Sequence, residues 1–256
     1  MVIEKKDVSS DKCNILDVGV NAVNIPLVLT CIEHAIFEHT KGYICATPVH
    51  SIMVAQDDHN YKSVLNNAFL CVPDGMPLVW LGKLAGHKSI GRVYGPDLMR
   101  AVFDKSRDGS WTHYLYGSDP ATLGTLKSCL SETYPEVSIV GQHAPPFRPL
   151  SDDEFASLQA DVTRCQPDIF WVGLGAPKQD IFMAETLALL DTTVMVGVGA
   201  AFDFLAGTMK EAPVWMQRSG LQWAYRLYRE PGRLWRRYLI NNPRFVFMLL
   251  RQKLGL

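Results

Sequence analysis

The 256-residue chain is 48% hydrophobic and 20% charged, which excludes disorder, collagen and coiled coil and leaves one large α/β domain or a domain with an appendage. The net charge of −1 is a sum of unlike parts: residues 209–256 hold ten basic and two acidic residues, a balance of +8, and the first 208 hold 15 basic and 24 acidic, a balance of −9. The tail also carries three of the six tryptophans, so a basic, aromatic segment on an acidic body points to an anionic surface as partner and away from nucleic acid.

No stretch approaches the roughly 20 apolar residues of a spanning helix, and residues 1–12 alternate charge and polarity where a signal peptide would be apolar. The chain is therefore expected in the cytoplasm. Its six cysteines stand singly, without a C-x-x-C pair, and are expected to be reduced core residues.

In chain order, residues 14–23, with Gly19 at their centre, suggest an N-terminal hairpin or an extended segment on a sheet edge. A helix near 26–40 follows. Between 43 and 199, short β-branched or aromatic runs ending in Gly, Pro or Thr alternate with helical stretches, the pattern of parallel strands joined by crossover helices. Strands are expected at 43–47, 68–72, 113–117, 137–141, 168–174 and 193–199. Helices are expected at 77–86, 96–107 and 177–190, after the Asp119-Pro120 cap, and after the capping-box sequence Ser151-Asp152-Asp153-Glu154.

After Gly207 the strands cease, and Pro213, Pro231 and Pro243 divide the tail into three helical pieces. The fold class is thus α/β: a Rossmann-like parallel sheet flanked by helices over 1–207, with a helical basic-aromatic C-terminal appendage over 208–256. Arg226, Arg229, Arg233, Arg236 and Arg237 recur at helical spacing and form one cationic face, interrupted at Pro231-Gly232.

In a doubly wound sheet the ligand crevice lies beyond the carboxyl ends of the strands. Pro73-Asp74-Gly75 places a carboxylate there on a tight turn, where it either serves as a general base or only closes the turn. Arg92, between glycines and a helix start, suits an anionic ligand or is an ordinary surface arginine. The Gly173-Leu-Gly175 and Gly197-Val-Gly199 loops lack the third glycine of a dinucleotide fingerprint and the lysine of a P-loop, but offer backbone N–H groups to a phosphate. The seven histidines show no metal-ligand spacing, and no D-x-D pair is present. A diphosphate is then neutralised by arginines or helix ends, with neither metal nor cofactor.

Six ordered motifs carry a resemblance: Ala46-Thr47-Pro48, Val72-Pro73-Asp74-Gly75-Met76, the run from Arg92 to Met99, the run from Val172 to Gln179, the run from Gly197 to Asp203, and the stretch from Ala212 to Pro243. Over nearly its whole length the sequence resembles the WecG/TagA/CpsF-type glycosyltransferases of bacterial cell-surface polymer synthesis. The resemblance implies metal-independent, inverting transfer of a sugar (N-acetylmannosamine-type, its uronic acid, or glucose) from a UDP-sugar to a polyprenyl-diphosphate-linked saccharide at the inner face of the cell membrane.

It further implies Asp74 as the base, Thr47, Arg92 and Gln179 at pocket positions, Asp203 beside the nucleotide, and Arg226, Arg233 and Arg236 closing over the diphosphate. Val49 and His50 depart from the family, in which many members carry Asn two residues after the threonine, a difference that bears on sugar or acceptor identity. A non-catalytic nucleotide- or lipid-binding module is the alternative from the same features, and homo-oligomerisation is left open.

Overall fold

The computed structural model of the chain describes residues 11–254. Six strands, β3 (Gly42–Thr47), β4 (Leu70–Pro73), β5 (Thr112–Gly117), β6 (Ser138–His143), β7 (Ile169–Gly173) and β8 (Val194–Gly197), form one sheet in the order β4-β3-β8-β7-β5-β6. All pairings in it are parallel. All six expected strands are present, with ends shifted by a few residues, and the architecture is the Rossmann-like α/β sheet anticipated.

Side chains alternate faces along each strand, so a parallel sheet covered on both sides builds two cores. Ile44, Ala46, Leu115, Trp171 and Val196 meet α1 (Ile25–Phe37), α5 (Gly95–Lys105), α6 (Pro120–Thr133) and α9 (Ala201–Leu205). Tyr43, Cys45, Tyr114, Phe170 and Met195 meet α2 (Val49–Asp57), α3 (His59–Asn66), α7 (Asp152–Cys165) and α8 (Lys178–Thr186). The turn from β5 into α6 passes so close to β7 that a Cβ on Gly117, at φ 135°, would lie 2.7 Å from the Gly173 backbone. Only glycine fits there.

The helices α2 and α3 have no counterpart among the sequence expectations. They are short, and Asp58 ends the first and caps the second, accepting from the Tyr61 N–H at 3.0 Å. The N-terminal segment is a hairpin of its own, β1 (Lys12–Ile15) and β2 (Val18–Asn21), with no place in the main sheet. Its turn is at Leu16 and Asp17, both at positive φ, and Gly19 lies within β2 opposite Asn14. Asn21 Oδ1 accepts from the Cys71 N–H at 2.7 Å, so the hairpin satisfies a backbone donor on the edge strand β4.

Beyond Gly207 only helices follow among the described residues: α10 (Val214–Arg218), α11 (Gln222–Arg229), α12 (Pro231–Trp235), a π turn (Arg236–Ile240) and α13 (Asn241–Leu254). Pro213 precedes α10 and Pro231 opens α12, as expected. Pro243 begins no separate piece, because the chain runs on helically from Pro231 to Leu254 and passes through the π turn just upstream of it. Proline removes an i−4 donor, and a π turn is one way a helix absorbs such a loss.

The tail is bound to the body at both ends. Phe245 is buried in the core beneath α2, a burial worth roughly 1.5–3 kcal/mol, and Arg244 makes a bidentate ion pair with Asp57 at 2.6 Å. Trp80 of α4 (Met76–Leu84) packs so tightly against Gly220 that a Cβ there would approach its ring to 2.6 Å.

Candidate active site

Loops from the carboxyl ends of all six strands of the main sheet surround a cleft of about 420 Å³. Beside it lies a second cavity of about 540 Å³, walled mainly by apolar side chains of α4, α11, the π turn and α13. Pro48, Asp74, Tyr94, Arg226 and Arg237 line both, so these residues form the wall between the two.

Asp74 leaves β4 with its N–H donating to the Thr47 carbonyl at 3.0 Å. Gly75, at φ 129°, then turns the chain into α4. The Asp74 carboxylate makes no hydrogen bond or ion pair among the described residues, unlike a carboxylate spent on closing its own turn. Burial pushes its pKa up to about 6; Arg92, Arg226 and Arg237 oppose the shift and Asp97 adds to it. A group in that range is ionised at neutral pH and still able to take a proton.

Arg226, from α11, and Arg237, from the π turn, each bury an Nε that finds no hydrogen-bond acceptor among the described residues, and neither is in an ion pair there. Burial, reinforced by Arg226, lowers the pKa of Arg237, although a guanidinium keeps its charge. Asp74 is the carboxylate that faces them electrostatically, and two partly desolvated guanidinium groups with unmet Nε donors are costly unless a further anion joins them. Arg233 of α12 also faces the cleft, with its Nε donating to Glu230 at 2.6 Å.

Gln179, only 2% exposed, uses Oε1 to accept from Gly175 N–H at 3.1 Å and Gly199 N–H at 2.9 Å. It fastens the two Gly-rich loops together. Those two N–H groups, expected to be available to a phosphate, are therefore engaged within the protein. Asp203 stands half-buried in the cleft wall, its pKa raised by burial and by Asp119 against the pull of Arg233.

The cleft thus gathers Asp74, Gln179, Asp203, Arg226 and Arg233 of the residues singled out in the sequence. Three others are placed elsewhere. The Thr47 hydroxyl is fully buried between strands, donating to the Cys45 carbonyl at 3.1 Å and lying 3.2 Å from Cys71 Sγ, so only its carbonyl serves the site. Arg92 lies behind the cleft wall, where one guanidinium reaches Asp97 and Gln217 at 2.7 Å and Gln222 at 3.2 Å, bracketing α10 and α11. Arg236 is exposed and stacks on Trp235, 5.2 Å from ring centre to Cζ, and Arg237 occupies the cleft in its stead.

The sequence reading did not single out Tyr94 or Asp180. Asp180 is fully buried behind Gln179, accepts from the Tyr61 hydroxyl at 2.6 Å, and has its pKa pushed up to about 6 by that burial. A lone Asp in the first turn of a helix gives no signal of this in sequence. Among the described residues no three His, Cys, Asp or Glu side chains are grouped to hold a metal ion.

The model of the Glycosyl transferase WecG/TagA/CpsF family matches residues 13–256. The N-acetylglucosaminyldiphosphoundecaprenol N-acetyl-β-D-mannosaminyltransferase of Bacillus subtilis strain 168 is 27% identical over 221 residues, covering 86% of this chain and 84% of that protein. The protein of the same name from Bacillus spizizenii strain W23 is 29% identical over 226 residues, covering 87% and 84%. With a family match spanning nearly all of its sequence and a cleft at the strand ends to house the chemistry, the chain belongs to the WecG/TagA/CpsF family of glycosyltransferases.

Proposed function

We propose that the protein moves a sugar, in the first instance an N-acetylmannosamine-type residue, from a UDP-sugar to a polyprenyl-diphosphate-linked saccharide, with inversion and without a metal ion. The carrying observation is the wall that holds Asp74, Arg226 and Arg237 between a polar cleft and an apolar cavity. The cleft suits the donor, the apolar cavity suits the acceptor beside its lipid, and their shared wall is where the two would meet.

In this reading Asp74 accepts the proton of the acceptor hydroxyl as that oxygen bonds to the anomeric carbon. The bond from that carbon to the diphosphate breaks on the opposite face, and UDP leaves with the electron pair. Arg226, Arg237 and Arg233 stabilise the charge that gathers on the diphosphate by charge-assisted hydrogen bonds. Gln179 keeps the loop floor in place, and Asp203 contacts the nucleotide. The names of the two relatives, which specify an N-acetylmannosaminyl transfer to an undecaprenol diphosphate carrying N-acetylglucosamine, support this choice of transferred sugar and acceptor.

No helix among the described residues is long and apolar enough to cross a membrane. We assign the protein to the cytoplasmic face of the membrane as a peripheral protein. Leu84, at the mouth of the apolar cavity, is 85% exposed, and Phe247, Leu250 and Leu254 stand exposed on α13 beside Arg251 and Lys253. Apolar side chains flanked by cations are what an anionic leaflet attracts.

Incubation with UDP-N-acetylmannosamine and a short-chain polyprenyl diphosphate bearing N-acetylglucosamine tests the reading through UDP release. Release that depends on the acceptor and survives EDTA is expected. Failure with every UDP-sugar overturns the donor, and loss on chelation restored by Mg or Mn overturns the metal-free mechanism.

A further inference from the structure

Behind the floor of the cleft, Asp180 is a carboxylate that the mechanism above does not use. It is fully buried, lines neither cavity and forms no ion pair among the described residues. Its Oδ2 accepts from the Tyr61 hydroxyl at 2.6 Å, and no hydrogen bond of ordinary geometry reaches its Oδ1. A buried carboxylate without a cation costs stability that an amide of the same shape would not. Such a cost directs attention to what the charge faces.

Gln179 precedes Asp180 in the first turn of α8. Its Oε1 end accepts from the N–H groups of Gly175 and Gly199 at 3.1 and 2.9 Å, and both glycines line the cleft. Its Nε2 end is turned inward, so close to β8 that a Cβ on Gly197 would stand 2.8 Å from it. The side chains of Gln179 and Cys45, with the Tyr61 hydroxyl, approach the carboxylate closely enough to favour its charged form. The amide of Gln179 therefore has two N–H donors at its oxygen and an anion acting on its nitrogen. That field polarises the amide and strengthens what its oxygen accepts. A flipped amide would set its NH2 group against two N–H groups and turn its oxygen toward the carboxylate.

We propose that Asp180 is a positioning residue, whose buried charge orients the Gln179 amide and so holds the Gly175 and Gly199 loops at the spacing the nucleotide-sugar needs, an inference that rests on the donor reading above. Asp180 touches no substrate and acts only through Gln179.

Thermal melting, amide hydrogen exchange of the ligand-free full chain and calorimetric titration with UDP test this at about pH 8, where Asp180 is charged. Asp180→Asn is expected to melt no lower than the wild type, because it removes a buried charge. It is nonetheless expected to exchange the Gly175 and Gly199 amides roughly fivefold faster and to bind UDP roughly fivefold more weakly. Tyr61→Phe, which leaves the charge beside Gln179, is expected to melt lower and to keep UDP affinity within about twofold. In a Gln179→Leu background, Asp180→Asn is expected to cost no further UDP affinity, since its route is gone.

Asp180→Asn that melts lower, or fails to fold, while Tyr61→Phe shares its loss of UDP affinity shows a carboxylate with a structural role alone and overturns the proposal. Unchanged exchange at the two glycines overturns it too, as do UDP losses that add in the Gln179→Leu, Asp180→Asn double variant. A wild type that binds no UDP overturns the donor reading, and the exchange rates, measured without ligand, still decide whether Asp180 sets the two loops.

Discussion

The Asp74 N–H and the Thr47 carbonyl meet at 3.0 Å across the ends of β3 and β4, where Thr47 pairs in register with Pro73. The Asp74 backbone is therefore held by main chain, and the threonine hydroxyl points the other way, into the sheet. Asp74→Asn is expected to abolish turnover while UDP-sugar affinity stays within a few fold, because the amide keeps the shape and loses the basic oxygen. Thr47→Val, which retains the carbonyl, is expected to cost about 0.5–1.5 kcal/mol of stability in a thermal melt with donor KM nearly unchanged. A large rise in KM in Thr47→Val would place the hydroxyl on the donor after all.

In the proposed mechanism the pKa of Asp74 sets the acid limb of activity. A base must be ionised to accept a proton, so kcat/KM is expected to fall roughly tenfold per pH unit below an apparent pKa of about 6 and to level off above it. Arg226 and Arg237 favour the carboxylate, so replacing either with Gln moves the limb to higher pH. A wild-type limb near that of a free aspartate, or a downward shift in the arginine variants, contradicts the assignment.

Adjacent arginines are expected to behave unlike each other. Arg237→Gln should lower kcat by about 10²–10³, the typical loss when one donor to a developing anion is removed, and Arg236→Gln should leave it near the wild-type value. Steady-state kinetics on a soluble short-chain acceptor distinguishes them, and an equal loss in both refutes the placement.

Arg92 donates to Gln217 and Gln222, and its proposed role is to position α10 and α11. Arg92→Lys lacks the planar fork and is expected to lose about 1.5–3 kcal/mol of stability together with faster hydrogen exchange over residues 214–229. Unchanged exchange there with a raised KM would make Arg92 a ligand of the substrate instead.

The proposed membrane contact involves the outer side of α13, where Phe247 and Leu250 are exposed and line neither cavity. The double variant Phe247→Glu, Leu250→Glu is expected to stop sedimenting with anionic vesicles and to keep its turnover on a water-soluble acceptor. Vesicle binding equal to the wild type would move the contact to another surface.

The sheet was legible because its signals are local: apolar runs such as Phe170-Trp171-Val172 end at glycines, and Asp119 and Ser151 cap the helices they precede. A strand followed by Pro-Asp-Gly puts Asp74 at the crevice in any doubly wound sheet, and the charge of the tail is visible by counting. Hairpin register was less legible, since Leu16 and Asp17 adopt positive φ where Gly19 gave the stronger turn signal.

What side chains face was decided by tertiary structure. Spacing allows Arg236 or Arg237 to stand over Arg233, and the π turn, whose bonding runs i to i+5, accompanies the choice of Arg237. Arg92 finds Gln217 125 residues further on, and Gln179 reaches Gly199 20 residues away, partners that no local pattern contains. Secondary structure follows from periodicity and caps within a few residues, but the direction of a polar side chain follows from where distant segments leave it an unpaired partner.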